Sequence, residues 1–224
     1  MIRKIFAISR AQSQELVRRK GTIAMLVLLP LVFYWASGSD DFAPTFATVG
    51  AGWAISIVTL FLTHGMAAIA PRLALLGFTS AERIIGRLVS AASFSGIVVL
   101  GLWIYIGQDE VIVRKGALAL AFLWSLLGAI SLGLAVGALI RREMEAMLVL
   151  VAVVGLQFVV DQSSTLAKVL PLYAAERYSG NASGWAEFVD GSWRASALVS
   201  FVLLLVAIIA TVWRSPRPVK RPTS

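Results

Sequence analysis

The sequence has no cysteine, one histidine and few charged residues, and each shortage excludes a class of site. Without cysteine, the 224-residue chain can form neither a disulfide nor a thiolate metal centre. Because His64 is the only histidine and no carboxylate cluster stands at ligand spacing, the sequence predicts no other metal site either. Charged residues make up 14% of the chain, against roughly 25% in soluble proteins. A water-soluble fold is therefore not expected.

Motifs for common enzyme chemistry are also missing. The chain contains no Gly-x-Ser-x-Gly turn, which presents a nucleophilic serine. It contains no Gly-x4-Gly-Lys-Ser/Thr loop, whose backbone amides would bind nucleotide phosphates. We expect that the chain is not an enzyme by itself.

Apolar residues are abundant instead. They make up 58% of the chain, more than a soluble fold of this size can hide from water. A helix needs roughly 20 mostly apolar residues to cross a membrane, where its backbone groups must be paired internally. Six stretches meet or nearly meet this length: 21–36, 46–70, 88–107, 116–140, 146–160 and 195–213. We therefore expect an all-α integral membrane protein with six transmembrane helices in a single domain, residues 1–213.

The loop charges predict the orientation of the spans. With a cytoplasmic N-terminus, the inner segments hold 15 of the 20 basic residues and 4 of the 12 acidic residues. The inner face then carries +11 and the outer face −3, which agrees with the net charge of +8. Because lysine and arginine are enriched in cytoplasmic loops, we expect both termini in the cytoplasm. Since the basic residues are divided among short loops beside the spans, anionic lipid headgroups suit them better than nucleic acid.

The two ends of the chain differ from the spans. Residues 1–20 form a segment rich in basic residues, and its apolar side chains, including Phe6, Leu16 and Val17, fall roughly on one helical face. This pattern favours an amphipathic helix in the inner membrane interface. The helix could be an anchor that only sets topology or a docking surface for a cytoplasmic partner. Residues 214–224 combine three prolines with four basic residues and are predicted to be disordered.

The loop 71–87, between the second and third spans, contains a helix-start signal. Thr79 is followed three residues later by Glu82, which is the capping-box pattern, so a helix should begin near Ser80. Before it, a short amphipathic turn would end at Gly77. The loop is either a compact element at the membrane surface or an ordinary connection between helices.

The longest segment expected outside the membrane is 161–194. Its part 166–178 is amphipathic and contains Pro171, and a turn rich in glycine, serine and asparagine follows. A helical hairpin that dips part-way into the outer leaflet is one interpretation. Gln157 and Asp161 lie at one end of the fifth span, where this segment begins. They could line an outer vestibule or simply end the helix in water, and we favour the second interpretation.

His64 lies near the inner end of the second span. A histidine inside a membrane can serve as a proton relay or a ligand site. More often it is a polar residue whose hydrogen bonds are satisfied by a neighbouring helix, and we favour that interpretation.

The layout resembles the membrane subunits of ABC-2 type ATP-binding-cassette transporters over nearly the whole chain. The likeness rests on the amphipathic N-terminal segment, six spans with both ends inside, and the capped loop after the second span. The loop Gly77-Phe-Thr-Ser-Ala-Glu-Arg-Ile-Ile-Gly-Arg87 looks like the family's stretch there, with Phe78-Thr-Ser in place of the usual Thr-Pro and Arg87 where lysine is common. The turn Arg141-Arg-Glu-Met-Glu-Ala and the stretch Leu170-Pro-Leu-Tyr173 are similar to the family's turn before the fifth span and its outer element.

The resemblance implies a permease subunit of an ATP-driven exporter in the inner (plasma) membrane of a bacterium. Two such subunits, identical or different, would form a dimer, each engaging one cytoplasmic ABC ATPase subunit. ATP and magnesium would bind to that partner, and no cofactor to this chain. The loop 71–87 and the N-terminal helix would couple the ATPase to the spans, and the segment 161–194 would act as an extracellular gate.

The resemblance also assigns residues to these roles. The expected coupling residues are Leu76, Phe78, Thr79, Glu82, Arg83 and Arg87. The first, second and fifth spans would border the path, and its candidate lining or gate residues are Trp53, His64, Gln157, Asp161, Pro171 and Tyr173.

Three rival functions remain open at the level of sequence. A membrane-embedded enzyme would need a polar or metal-binding cluster, which the sequence does not show. A secondary transporter without an ATPase partner would more often have discontinuous spans and intramembrane charges. A structural or assembly subunit without a transport path is poorly separated from a permease by sequence alone.

The predicted orientation can be tested directly, because the absence of native cysteine lets single cysteines report sidedness. In intact cells, a membrane-impermeant maleimide should label Ser163→Cys in the outer segment. It should label Met144→Cys, in the expected inner turn, only after the membrane is permeabilised. The opposite labelling pattern would reverse the topology.

Overall fold

A computed structural model of the chain describes residues 2–38, 40–185 and 191–214, and every regular element in these ranges is helical. The α-helices are α1 Ile2–Arg18, α2 Lys20–Ala36, α3 Ala43–Leu75, α4 Ser80–Ile106, α5 Lys115–Leu139, α6 Glu143–Val159, α7 Tyr173–Ser183 and α8 Ser192–Arg214. One 3₁₀ turn, Ala167–Val169, precedes α7. The predicted all-α class is confirmed. Apart from Arg214, the predicted disordered tail lies outside the described residues.

Four of these helices, α3, α4, α5 and α8, are long and apolar enough to cross a membrane. The helices α2 and α6 also coincide with predicted spans, but each has only 17 residues. At 1.5 Å per residue they are about 25 Å long, less than the roughly 30 Å of a hydrocarbon core. Within the described ranges the chain thus has four candidate membrane spans, and a total of six stays a prediction.

The helices α3 and α5 form the centre of the fold because small residues let their backbones approach closely. A Cβ atom added to Gly133 of α5 would lie 2.4 Å from the backbone oxygen of Ser56, and one on Gly137 would lie 2.9 Å from Cβ of Thr63. Across the same interface, the Ser56 hydroxyl donates to the Ala129 oxygen at 3.1 Å. The contact therefore combines glycine packing with an interhelical hydrogen bond.

The surrounding helices direct apolar side chains outward. Ile97 on α4 is 72% exposed, Leu148 on α6 68% and Leu198 on α8 64%. Apolar faces of this kind would promote aggregation in water, whereas lipid chains solvate them. The outer helices are therefore suited to direct contact with lipid.

The N-terminal segment is helical, but its buried face differs from the predicted one. Ile8, Gln12 and Leu16 are buried, whereas Phe6 and Val17 project outward. Because residues four apart lie on one face of a helix, α1 has two apolar stripes instead of one. The stripe with Ile8 packs against α4, and the stripe with Phe6 and Val17 is available to a membrane surface.

The segment after α6 also departs from its prediction. The helix in it, α7, begins only after Pro171 and continues to Ser183 through the stretch predicted to be a turn. At its end, the Ser183 hydroxyl donates to the backbone oxygen of Asp41 at 2.6 Å. Small residues let α7 pack against α3 and α5, so tertiary contact overrides a weak helix propensity.

The close contact between α3 and α5 predicts that alanine is tolerated less well at Gly133 than at Gly155. Gly133→Ala would press a methyl group into the α3 backbone and should destabilise the chain by about 1–3 kcal/mol. Gly155→Ala on α6, where a Cβ meets nothing within 4 Å, should be neutral or slightly stabilising. Thermal unfolding in detergent, followed by tryptophan fluorescence, compares the two. Equal losses would show that close packing at Gly133 is unimportant.

Candidate coupling and pathway residues

The segment 71–87, here called the connector, joins α3 to α4. The helix α3 continues through Pro71 to Leu75, so the separate short turn expected before Gly77 does not form. Gly77 has a φ of +77°, a left-handed conformation that glycine adopts without steric cost. The chain reverses direction at this glycine.

The helix α4 begins with the predicted capping box. The Thr79 hydroxyl accepts from the Glu82 backbone amide at 3.2 Å, and the Glu82 carboxylate accepts from the Thr79 amide at 2.9 Å. Such a cap stabilises a helix by roughly 1 kcal/mol. The start at Ser80 is confirmed, and Thr79 and Glu82 are engaged with each other.

Arg83 connects the first turn of α4 to the last turns of α3. Its guanidinium donates to the backbone oxygen of Ala70 at 3.1 Å and to the Ser80 hydroxyl at 2.9 Å. Glu82, Arg83 and Arg87 are each no more than 6% exposed. The side chains of these three candidate coupling residues thus face the interior of the chain.

The helix α1 packs against the connector and the beginning of α4. The Lys4 ammonium donates to the backbone oxygen of Gly77 at 2.9 Å and lies 5.4 Å from the centre of the Phe78 ring. A Cβ atom on Gly86 would lie 2.7 Å from the Ile8 side chain, so glycine is needed for this contact. The connector and α1 therefore pack together as one unit.

Two leucines are exposed at the tip of this unit. Leu75 is 87% exposed and Leu76 is 71% exposed. Leu76 was a predicted coupling residue, whereas sequence reasoning missed Leu75. The signal for Leu75 was its place beside Leu76 at a helix end, directly before a chain-reversing glycine.

A cavity of about 600 Å³ lies between α1 and the second half of α3. Leu76 and Phe78 form part of its lining, together with Gln12 and Phe61. Both polar atoms of the Gln12 side-chain amide are buried and have no partner among the described residues. The lining is therefore mostly apolar, and its polar groups are the Gln12 amide and the ion pair of Glu15 with Arg19.

Among the predicted pathway residues, Trp53 belongs to an aromatic cluster that joins α2, α3 and α6. Phe33 packs edge-on against Trp53 and stacks on Phe158, with ring centres 6.0 Å apart in both pairs. Phe158 also stacks on Phe46 at 5.4 Å. The indole nitrogen of Trp53 is buried without a partner in the described part of the chain.

Gln157 and His64 differ in how their polar atoms are satisfied. Gln157 is 2% exposed, and both atoms of its amide lack a described partner. The interpretation that it ends a helix in water is therefore wrong. His64 forms a hydrogen bond of 2.9 Å through Nε2 with the Ile140 oxygen at the end of α5, the neighbour-satisfied role that the sequence favoured.

Asp161 lies two residues after the end of α6 and is exposed. Its carboxylate accepts from the backbone amide and the hydroxyl of Ser163, both at 2.9 Å. The hydrogen bond from the Ser163 amide lowers the pKa of Asp161. A local role in the turn accounts for these contacts.

Pro171 and Tyr173 are buried beside α5. A Cβ on Gly128 would lie only 2.2 Å from the Pro171 oxygen, so this outer segment is pressed against α5. The next turn of α7 carries Glu176, which is 5% exposed and accepts a hydrogen bond from the Gln162 side chain. Burial raises the pKa of Glu176 to about 8.

The structure does not bring the six predicted pathway residues together. Trp53 and His64 lie eleven residues apart on α3, which is about 16 Å along the helix. Asp161, Pro171 and Tyr173 lie in the segment that follows α6. The coupling residues, in contrast, lie within one connector.

No known protein-family model matches this chain, and no characterised protein sequence matches it. The described residues contain no group of three or more histidine and carboxylate side chains that could hold a metal ion.

The buried Glu176 predicts a pH dependence of stability. The folded chain holds this proton up to about pH 8, whereas the unfolded chain releases it near the ordinary value of 4.5. The stabilisation of the folded chain by the protonated Glu176 is therefore fully present below about pH 4.5 and is lost as the pH rises through about 8. We expect the unfolding temperature to fall between about pH 5.5 and about pH 8.5, and Glu176→Gln to remove much of this fall.

The control is Glu110→Gln, which neutralises an exposed carboxylate in the turn between α4 and α5. This variant should keep the fall in unfolding temperature seen in the unaltered chain. If Glu176→Gln keeps it as well, Glu176 does not titrate in this range.

Proposed function

We propose that this chain is the membrane-spanning permease subunit of an ATP-driven exporter of the ABC-2 type, coupled to a separate ATPase subunit. The supporting observation is the connector, which presents two exposed leucines on a capped and hydrogen-bonded element. A groove on a partner protein can bury exposed leucines that stand on a rigid element. An ordinary loop between helices is not stabilised by leucines that remain exposed. The resemblance in sequence supplies the identity of the partner.

The length of α3 supports a connector that projects from the membrane. With 33 residues, α3 is about 50 Å long, roughly 20 Å more than a hydrocarbon core. Its apolar run ends at Arg72, and the exposed Leu75 and Leu76 follow. Under the predicted topology this end faces the cytoplasm, where an ATPase subunit would dock.

The contacts of the connector suit the transmission of force. A partner that pushes on Leu75 and Leu76 would move the end of α3, and Arg83 would pass the displacement to α4 through its bond to Ala70. The helix α1 would move with them because Lys4 binds the same turn. Since α3 packs closely on α5, the motion would reach the centre of the fold.

The path would run beside α2, α3 and α6. The Trp53 indole nitrogen, in their aromatic cluster, and the Gln157 amide, on α6, have no hydrogen-bond partner among the described residues. The apolar run of α3 contains no charged residue before Arg72, so α3 can shift without moving an ion into lipid. Such a lining suits lipids, hydrophobic drugs or amphipathic peptides.

The proposal predicts that exposed connector leucines are needed for partner binding. Affinity purification of the tagged chain from native membranes should recover a stoichiometric subunit with an ATP-binding loop and ATPase activity. Leu76→Glu would place a charge in the apolar contact and should reduce that recovery at least about tenfold.

The matched control is Val113→Glu, the same kind of substitution at a residue 71% exposed near the opposite ends of the helices. This variant should keep full recovery of the ATPase subunit. If the unaltered chain purifies without any ATPase, the exporter proposal fails, and an assembly subunit or a secondary transporter becomes the better description.

A further inference from the structure

A second cavity, of about 310 Å³, lies where α3, α4, α5 and α8 meet near the connector. Met66, Ala67 and Ala138 form part of its apolar wall. Three arginines, Arg83, Arg87 and Arg214, also line it, and no acidic side chain of the described residues does. The cavity is therefore small, partly apolar and strongly cationic.

Arg87 is the least compensated of the three. Its side chain is 5% exposed, and its Nε atom has no hydrogen-bond partner among the described residues. Neither of the two ion pairs in that part of the chain involves it, and Arg83, which lines the same cavity, carries a like charge. A buried guanidinium in this setting is costly unless an anion accompanies it.

The other two arginines are held in place by the backbone. Arg83 donates to the Ala70 oxygen at 3.1 Å, and Arg214 donates to the Leu139 oxygen at 2.6 Å. A guanidinium has five N–H donors, so Arg214 has donors beyond this one bond among the described residues. Arg214 is exposed at the end of α8 and lies at the mouth of the cavity.

We infer that this cavity binds the phosphate group of an anionic membrane lipid. Planar guanidinium groups match phosphate oxygens in charge and in geometry, often through two parallel hydrogen bonds. A lipid source suits the site because apolar residues, among them Met66 and Ala138, line the same cavity as the arginines and could contact the upper part of an acyl chain. Basic pockets between membrane helices are known sites for anionic headgroups.

The site is independent of the proposed coupling to an ATPase, because it requires only that the four helices stand in a membrane. It also gives Arg87 a role that differs from contact with a partner protein. A lipid phosphate between Arg87, at the end of the connector, and Arg214, on α8, would join the connector to the last span.

The test uses the full chain, purified in an uncharged detergent and titrated with phosphatidylglycerol, phosphatidylcholine or inorganic phosphate. The readout is the unfolding temperature, since a ligand that binds only the folded state raises it. Phosphatidylglycerol should raise it in the unaltered chain, and Arg87→Gln should weaken the apparent affinity at least about tenfold. Phosphatidylcholine, whose choline cation the arginines repel, should have little effect.

Two further variants keep the test decisive. Arg141→Gln removes an equal charge from an exposed position outside the cavity and should keep the response to phosphatidylglycerol. If Arg87→Gln fails to fold, Arg214→Gln replaces it as the test variant. It should weaken the apparent affinity for phosphatidylglycerol several-fold.

Three outcomes would overturn the inference. In the first, phosphatidylglycerol raises the unfolding temperature of Arg87→Gln or of Arg214→Gln as much as that of the unaltered chain. In the second, Arg141→Gln loses as much apparent affinity for phosphatidylglycerol as Arg87→Gln does, which would show attraction by net charge alone. The third is an equal response to inorganic phosphate at the same concentration, which would identify a soluble anion as the ligand.

Discussion

The close contact of α3 with α5 is the constraint on which the other positions depend. Because Gly133 and Gly137 have no side chain, the two helices approach until backbone and side-chain atoms of α3 occupy that space. The helix α2 packs against α3, and α7 packs against both helices of the pair. A wider separation would displace both ends of α3, including the connector and the residues that meet α7.

In the connector, local signals and tertiary contacts determine different features. The capping box of Thr79 and Glu82 starts α4, and Gly77 allows the reversal before it. These local signals do not fix the angle between α3 and α4. The bond from Arg83 to Ala70 joins α4 to α3, and the bond from Lys4 to Gly77 joins α1 to the turn between them.

The sequence predicted the helices well and the candidate site only in part. Hydropathy located the apolar helices because a long apolar run has few alternatives to a helix in lipid. It did not predict that Gln157 would be buried, because the partner surface comes from other helices. It also predicted a turn where α7 is helical, since the serine, glycine and asparagine of that stretch favour turns until tertiary contacts satisfy their polar groups.

The sequence by itself determined that this is an all-helical chain with long apolar helices, an amphipathic first helix and a capped start of α4. Those properties follow from composition and from residues within a few positions of each other. Only the tertiary structure decided that Arg83, Arg87 and Arg214 line one cavity and that Leu75 stays exposed. Which side chains meet across helices depends on packing between segments far apart in the chain, which local patterns do not encode.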